Sequence, residues 1–378
     1  MLQTIYRKLG RLDWITLTIV LLLCAASIAI IYSATYTCDS AEFREAFRAQ
    51  MYWIPIGLVA FFFVALTDYS IWVRAAVPIY ALVFVMLIVV LFMRPINGAT
   101  HWLRFGPVSL QPAELCKISY IFLAAAILLH REKEMKSFWT FALTLIVALV
   151  PMALILKQPD LGSAAVLLPI SFVMMFVAGV RLRYIVVPAL LGAIIVGVAY
   201  FGVFQRNWHI PGLREYQLNR IKTFFNPNLD PKGTGWTINQ SLLAIGSGGL
   251  VGKGWCNGTQ NVLGYLPKNI AYNDFIFSVI GEEEGFVGGA SLIVLEGIIL
   301  LSCLRVAASA RDQTGALMAC GVTAMLFTHV FVNIGMTIQV VPITGIPLPF
   351  ISYGGTFLVI CLTGMGLVQS VWIHRRSY

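Results

Sequence analysis

Residues 15–34 read ITLTIVLLLCAASIAIIYSA, twenty positions without a charge. At 1.5 Å per residue, a helix of this length spans about 30 Å, the thickness of a bilayer's hydrocarbon core. Comparable stretches recur at 50–67, 73–93, 112–130, 138–156, 162–180, 184–204, 285–304, 316–339 and 354–373, which makes ten expected spans. They are continuously apolar rather than alternating, so they read as helices and not as strands of a barrel. The first is too long for the core of a signal peptide and no cleavage site follows it, so it is expected to stay in the membrane. Composition agrees. Of 378 residues, 59% are hydrophobic and 11% charged, against roughly 25% charged in a soluble domain. Mean hydropathy is +0.83. Too few polar residues exist to cover a water-soluble surface, which excludes a soluble enzyme, a disordered chain and a nucleic-acid binder. The expected fold is all-α: one integral membrane domain over 1–378, with about ten transmembrane helices and a long extracytoplasmic loop at 205–273.

The net charge of +9 is first a topology signal, because short cytoplasmic loops concentrate Lys and Arg. With the N-terminus in the cytoplasm, the inner segments hold thirteen basic residues, from Arg7 to Arg376. The short outer loops hold five: Arg44, Arg48, Arg94, Arg104 and Lys157. An even number of spans returns the C-terminus to the cytoplasm, where Arg375 and Arg376 agree. The 69-residue segment 205–273 is the exception. It sets Arg206, Arg214, Arg220, Lys222, Lys232, Lys253 and Lys268 against Glu215 and Asp230 alone, a net charge of +5. A basic, largely apolar outer surface suits an anionic lipid headgroup. Of the seven cysteines, five lie in apolar stretches and read as small core residues. Cys38 and Cys256 sit in polar stretches, without support for a disulfide.

Ionisable groups inside a span are expensive and therefore candidates for function. In QPAELCK (111–117), Pro112 suits the first helical position, and Glu114 and Lys117 are three apart on one helical face, free to pair. At that depth Lys117 is expected near a lipid pyrophosphate. Asp160 sits in a short turn, QPDLG (158–162), where it can cap the following span. The run GSGGLVGKG (246–254) is not a phosphate loop, because Gly254 stands where a hydroxyl is required. Its glycines are still expected to present Lys253 or backbone amides to a phosphate. NDFIFSVIGEEEG (273–285) carries Asp274 and three adjacent glutamates that cannot all face lipid. Read on its own, Asp274 is a helix cap or first-turn acid. Glu296, in mid-span, reads as a buried structural acid. VVPITGIPLPFISYGG (340–355), with three prolines and three glycines, is irregular backbone of the kind tolerated where it is buried or lines a cavity. No metal-ligand spacing and no Ser/His/Asp arrangement is present.

Seven motifs in order decide more. THWLRFG (100–106), QPAELCK, QPDLG, the long NPNLDPKGTGW segment (226–236) with its glycine run, NDFIFSVIGEE, FVNIGM (331–336) and GIPLPFISYGG (345–355) together resemble the SEDS family of shape, elongation, division and sporulation proteins. The form TGIPLPFISYGG is similar to its RodA-type branch. The resemblance implies a peptidoglycan glycosyltransferase of the bacterial cytoplasmic membrane that polymerises lipid II at the outer leaflet during cell elongation. It implies a class B penicillin-binding protein and the elongation machinery as partners. It carries Asp274 over as the essential acid, which reverses the cap reading and makes it a general base. It marks Glu114, Lys117, Trp102, Asp160, Arg220 and Lys253 as substrate-binding candidates. Lys117, Arg220 and Lys253 are the expected counter-charges for the leaving pyrophosphate. A divalent cation, Mg or Mn, is a candidate to share that work, although no ligand cluster demands one. Two departures mark this chain. Seven positions instead of five separate Pro267 from Asp274, and Glu284 stands at an ordinarily apolar place. The rival readings are a lipid II flippase and a non-catalytic scaffold for the penicillin-binding protein.

Overall fold

The computed structural model describes residues 2–38, 41–93, 101–105, 108–206 and 215–375, so Arg94, Arg214 and Arg376 of the charge count lie outside it. In chain order its main helices are α1 (Trp14–Thr35), α2 (Ala46–Leu66), α3 (Ala76–Val90), α4 (Pro112–His130), α5 (Phe138–Lys157), α6 (Leu161–Ala178), α7 (Leu182–Arg206), α8 (Thr234–Ser247), α9 (Ile276–Glu283), α10 (Gly285–Ala308), α11 (Gln313–Thr337) and α12 (Gly355–Ile373). Among the described residues, eight helices are long and apolar enough to cross a membrane. The other two expected stretches hold α3, of 15 residues, and α7, of 25. The chain is an all-α, multi-pass membrane protein. The described strands form one antiparallel hairpin, β1 (Leu103–Phe105) with β2 (Val108–Leu110), in which Leu103 faces Leu110.

In lipid the hydrophobic effect does not drive helices together, so close packing and buried hydrogen bonds must. Glycine supplies the packing. α2 and α12 form the most extensive helix pair, and a Cβ at Gly366 would lie 2.5 Å from the Phe61 carbonyl oxygen. Gly57 and Gly355 make similar room for Leu362 and Trp53. α4, α11 and α12 are the most buried spans. Glu114 and Lys117, the charged pair of α4, therefore face protein rather than lipid.

The loops between the long helices gather at two ends of the bundle. At one, Asp13 caps α1 and bonds to Arg305 and Ser302 at the end of α10, while its amide donates to Gln369 near the end of α12 (2.9 Å). Tyr69 donates to Asp312, the N-cap of α11 (2.9 Å). The cavity described below occupies the other end.

The described part of the 205–273 segment is built rather than open. It carries helix Glu215–Phe225, α8, and the single turns Thr259–Val262 and Lys268–Ala271. α8 packs on α9. The glycine run 246–254 wraps the end of α9, and a Cβ at Gly248 or Gly252 would collide with the Gly281 or Glu283 carbonyl. The amides of Lys253 and Gly254 donate to the carbonyls of Glu282 (3.0 Å) and Glu283 (2.9 Å). The run serves close backbone contact, and these two amides are already committed. Two of the three adjacent glutamates meet neither lipid nor a wet cavity. Glu282, fully buried, accepts from the Lys253 ammonium (2.6 Å), the Thr259 hydroxyl (3.1 Å) and the Gln260 amide (2.9 Å). Glu283 accepts from Ser33 (2.6 Å) and the Cys256 amide (3.2 Å). Glu284 is exposed. Cys256 forms no disulfide, and the five cysteines of the apolar stretches are unbridged too.

Candidate active site

The turn Lys268–Ala271 takes up the run between Pro267 and Asp274, and the Lys268 ammonium anchors it on the Thr37 carbonyl (2.6 Å). The amides of Asn273 and Phe275 both donate to the Ile270 carbonyl (3.2 and 3.1 Å). Backbone thus closes this turn, and α9 starts after Phe275 without any side-chain cap. Asp274 is not a helix cap. The reading from local sequence is corrected here, because a tertiary turn precedes the helix where a simple helix start was expected.

The segment 340–355 stitches this turn in place. Ser352 donates to the Asn273 carbonyl (2.6 Å) and the Tyr353 amide to that of Tyr272 (3.0 Å). Asn333, of the FVNIGM motif, donates through Nδ2 to the Asp274 carbonyl (2.9 Å) and the Ile346 carbonyl (2.7 Å). Two irregular segments therefore share one clamp. Gly345, at φ +75°, approaches so closely that a Cβ there would lie 3.3 Å from Asp274 Oδ2.

Asp274 lines a cavity of about 240 Å³ with Trp102, Glu114, Asp160, Arg220, Thr344 and Gly345, among others. Five segments that are far apart in sequence meet there. Asp160 does two things: Oδ1 caps α6 by accepting from the Ser163 amide (2.9 Å), and Oδ2 accepts from Gln111 (2.9 Å). Arg220, on helix Glu215–Phe225, reaches the Thr344 carbonyl (3.4 Å). Burial pushes the Asp274 carboxyl up to about 6, with the Asp160 charge adding to the rise and the Arg220 guanidinium opposing it.

Glu114 and Lys117 pair at 2.6 Å, and Lys117 is fully buried. Glu114 lines the cavity and Lys117 does not. The ammonium stands behind the carboxylate and also meets Nε2 of His329 on α11 (3.0 Å). Ser163 donates to the same Glu114 oxygen, Oε1 (3.3 Å), while Oε2 has no hydrogen-bond partner among the described residues. Lys253 is likewise absent from the cavity lining, with its ammonium on Glu282. Of the three cations expected at a pyrophosphate, Arg220 alone lines the cavity. Glu296 is buried, and neither oxygen has a hydrogen-bond partner among the described residues. Among those residues no group of three His, Cys, Asp or Glu side chains is arranged to hold a metal ion.

Sequence reasoning missed His329 and Asn333. The available signal was two polar residues four apart, on one face of an otherwise apolar span.

The family model of the FtsW, RodA and SpoVE cell cycle proteins matches residues 13–377. The chain belongs to this family. Peptidoglycan glycosyltransferase MrdB of Escherichia coli K12 is 34% identical over 366 residues, covering 97% of this chain and 94% of MrdB. The crystal structure of Thermus thermophilus RodA, another member by name, superposes with a TM-score of 0.68 at 28% identity, covering 97% and 98% of the two chains. A chain from a peptidoglycan synthase complex that coordinates polymerization and crosslinking superposes with a TM-score of 0.79 at 30% identity, covering 96% and 98%. The FtsW/RodA/SpoVE match thus spans the whole bundle, cavity included.

Proposed function

We propose that this peptidoglycan glycosyltransferase polymerises lipid II with Asp274 as the general base. The observation that carries the reading is the Asp274 carboxylate, which caps no helix and opens into a cavity beside Arg220. The acceptor sugar's hydroxyl gives its proton to Asp274 and its oxygen forms the bond to the donor's anomeric carbon. The bond from that carbon to the lipid pyrophosphate breaks, and the pyrophosphate leaves with the electron pair. Arg220 faces the charge that develops on it. Glu114 and Asp160 accept hydrogen bonds from substrate, and Trp102 offers a flat face to a sugar ring. Lys117 and Lys253 act through Glu114 and Glu282 instead of touching substrate.

The cavity is smaller than the roughly 300–1,000 Å³ of a typical ligand pocket. It takes the reacting centre, while the rest of the lipid-linked substrate extends outside. A Mg or Mn ion, if one accompanies the reaction, would supply positive charge beside the pyrophosphate, since the described residues offer no three-carboxylate or imidazole group to hold it. The thirteen-to-five excess of basic residues supports the cavity end facing outward from the cytoplasmic membrane, with both termini inside. The likeness to a synthase complex supports a class B penicillin-binding protein as the partner.

The test is Asp274→Asn, purified with its transpeptidase partner and supplied with lipid II. Loss of a general base typically costs about 10²–10⁴-fold in rate, with folding and partner binding retained. Near-normal glycan chains from this variant would remove Asp274 from the chemistry.

A further inference from the structure

Lys117 has three N–H donors and no acceptor. One donor goes to Glu114 Oε1 at 2.6 Å and a second to His329 Nε2 at 3.0 Å, while the Phe357 ring lies 5.9 Å away. Because the ammonium only donates, Nε2 must accept. The imidazole is then neutral with its proton on Nδ1, which lies 3.2 Å from the Pro347 carbonyl and donates to it. Its ring packs against Phe357, 4.7 Å between centroids, and both Pro347 and Phe357 line the cavity. A buried imidazole costs free energy unless both nitrogens are satisfied. Here both are, by groups on opposite sides of the site.

We infer that His329 is a positioning residue: it fixes the Lys117 ammonium, and through it Glu114, in register with the 340–355 segment that holds Asp274. The chain of contacts is continuous. Glu114 Oε1 is held by Lys117 and Ser163, while Oε2 is buried at the cavity wall without a hydrogen-bond partner among the described residues. His329 links Lys117 to Pro347. One helical turn further along α11, Asn333 links the neighbouring Ile346 to Asp274. α11 thereby sets the spacing between the carboxylate that binds and the carboxylate that takes the proton. Without His329 the ammonium loses an acceptor and the segment loses a donor. Glu114 then turns with its partner.

The test compares His329→Leu with His329→Gln in the partner complex with lipid II, reading kcat, KM and melting temperature. Leucine makes neither bond, whereas glutamine can accept from Lys117 and donate to Pro347. With His329→Leu, kcat/KM should fall about 10- to 100-fold, the worth of a hydrogen bond to a charged group, with a fall in kcat carrying part of it because Glu114 and Asp274 lose their spacing. His329→Gln should recover most of that loss. If the leucine variant does not fold, His329→Met, apolar and of similar volume, should show the same split. A wild-type kcat in the leucine or methionine variant would overturn the inference, as would a loss confined to KM. So would a glutamine variant that restores melting temperature but not kcat. The inference rests on the polymerase reading and on Asp274 as the base. An active wild-type complex checks the first and Asp274→Asn the second.

Discussion

Asn333 makes the most consequential pair of bonds in the bundle, and its replacement has a signed outcome. Its Nδ2 carries two hydrogens and meets two carbonyl oxygens, of Asp274 at 2.9 Å and of Ile346 at 2.7 Å. Flipping the amide would set its oxygen against both carbonyls, so the orientation follows from the partners. Asn333→Leu keeps the volume but leaves two buried acceptors unpaired, at roughly 1–3 kcal/mol each, or about 2–6 kcal/mol together. That is a large part of the roughly 5–15 kcal/mol by which domains are stable. Asn333→Asp is worse while ionised, because it sets a charge against the same two oxygens. The expected order of melting temperature and of lipid II polymerisation, measured well below melting, is Asn, then Leu, then Asp. A leucine variant with an unchanged melting curve and unchanged rate would refute the clamp. An aspartate variant better than the leucine would show that the amide does not donate here.

Asp274 must be ionised to take a proton, so kcat should rise with pH through about 6 and level off above it; a rate flat between pH 5 and 7 would contradict this. Stability runs the other way. The native carboxyl holds its proton above its ordinary 3.8, so ionisation in that window costs stability, and Asp274→Asn should melt higher than wild type at neutral pH. Lys253→Met leaves Glu282 buried without its partner, a loss of about 3–5 kcal/mol. Adding Glu282→Gln should restore the melting temperature and the activity, whereas a substrate-binding Lys253 would leave the double variant inactive. Gly366→Ala drives a methyl into the Phe61 backbone and should split α2 from α12. Gly192→Ala meets nothing within 4 Å and should be neutral or stabilising by up to about 1 kcal/mol; equal melting shifts would dismiss glycine packing.

Spans were legible because hydropathy is a local property, readable twenty residues at a time. Glu114 and Lys117 were legible for the same reason, lying within one turn of one helix. What escaped depends on chain separated in sequence. Lys253 finds Glu282 across 29 positions, and Lys117 finds His329 across 212. A glycine run looks alike whether it cradles a phosphate or lets two backbones touch, and only the Gly281 and Glu283 carbonyls decide between them. Asp274 shows the limit most clearly. Its neighbours spell a helix start, yet the preceding turn and the distant Asn333 release the carboxylate from that duty.

The grip on Asp274 has a consequence for how the protein is made. The residues that hold it, Asn333 and the stretch through Tyr353, emerge from the ribosome after it, by 59 positions in the case of Asn333. A nascent chain that has reached only the end of α10 carries the acid but not yet these bonds. The surroundings of Asp274 are therefore complete only once α11 and the 340–355 segment are in place, so the order of synthesis puts the acid in the chain before the bonds that hold it.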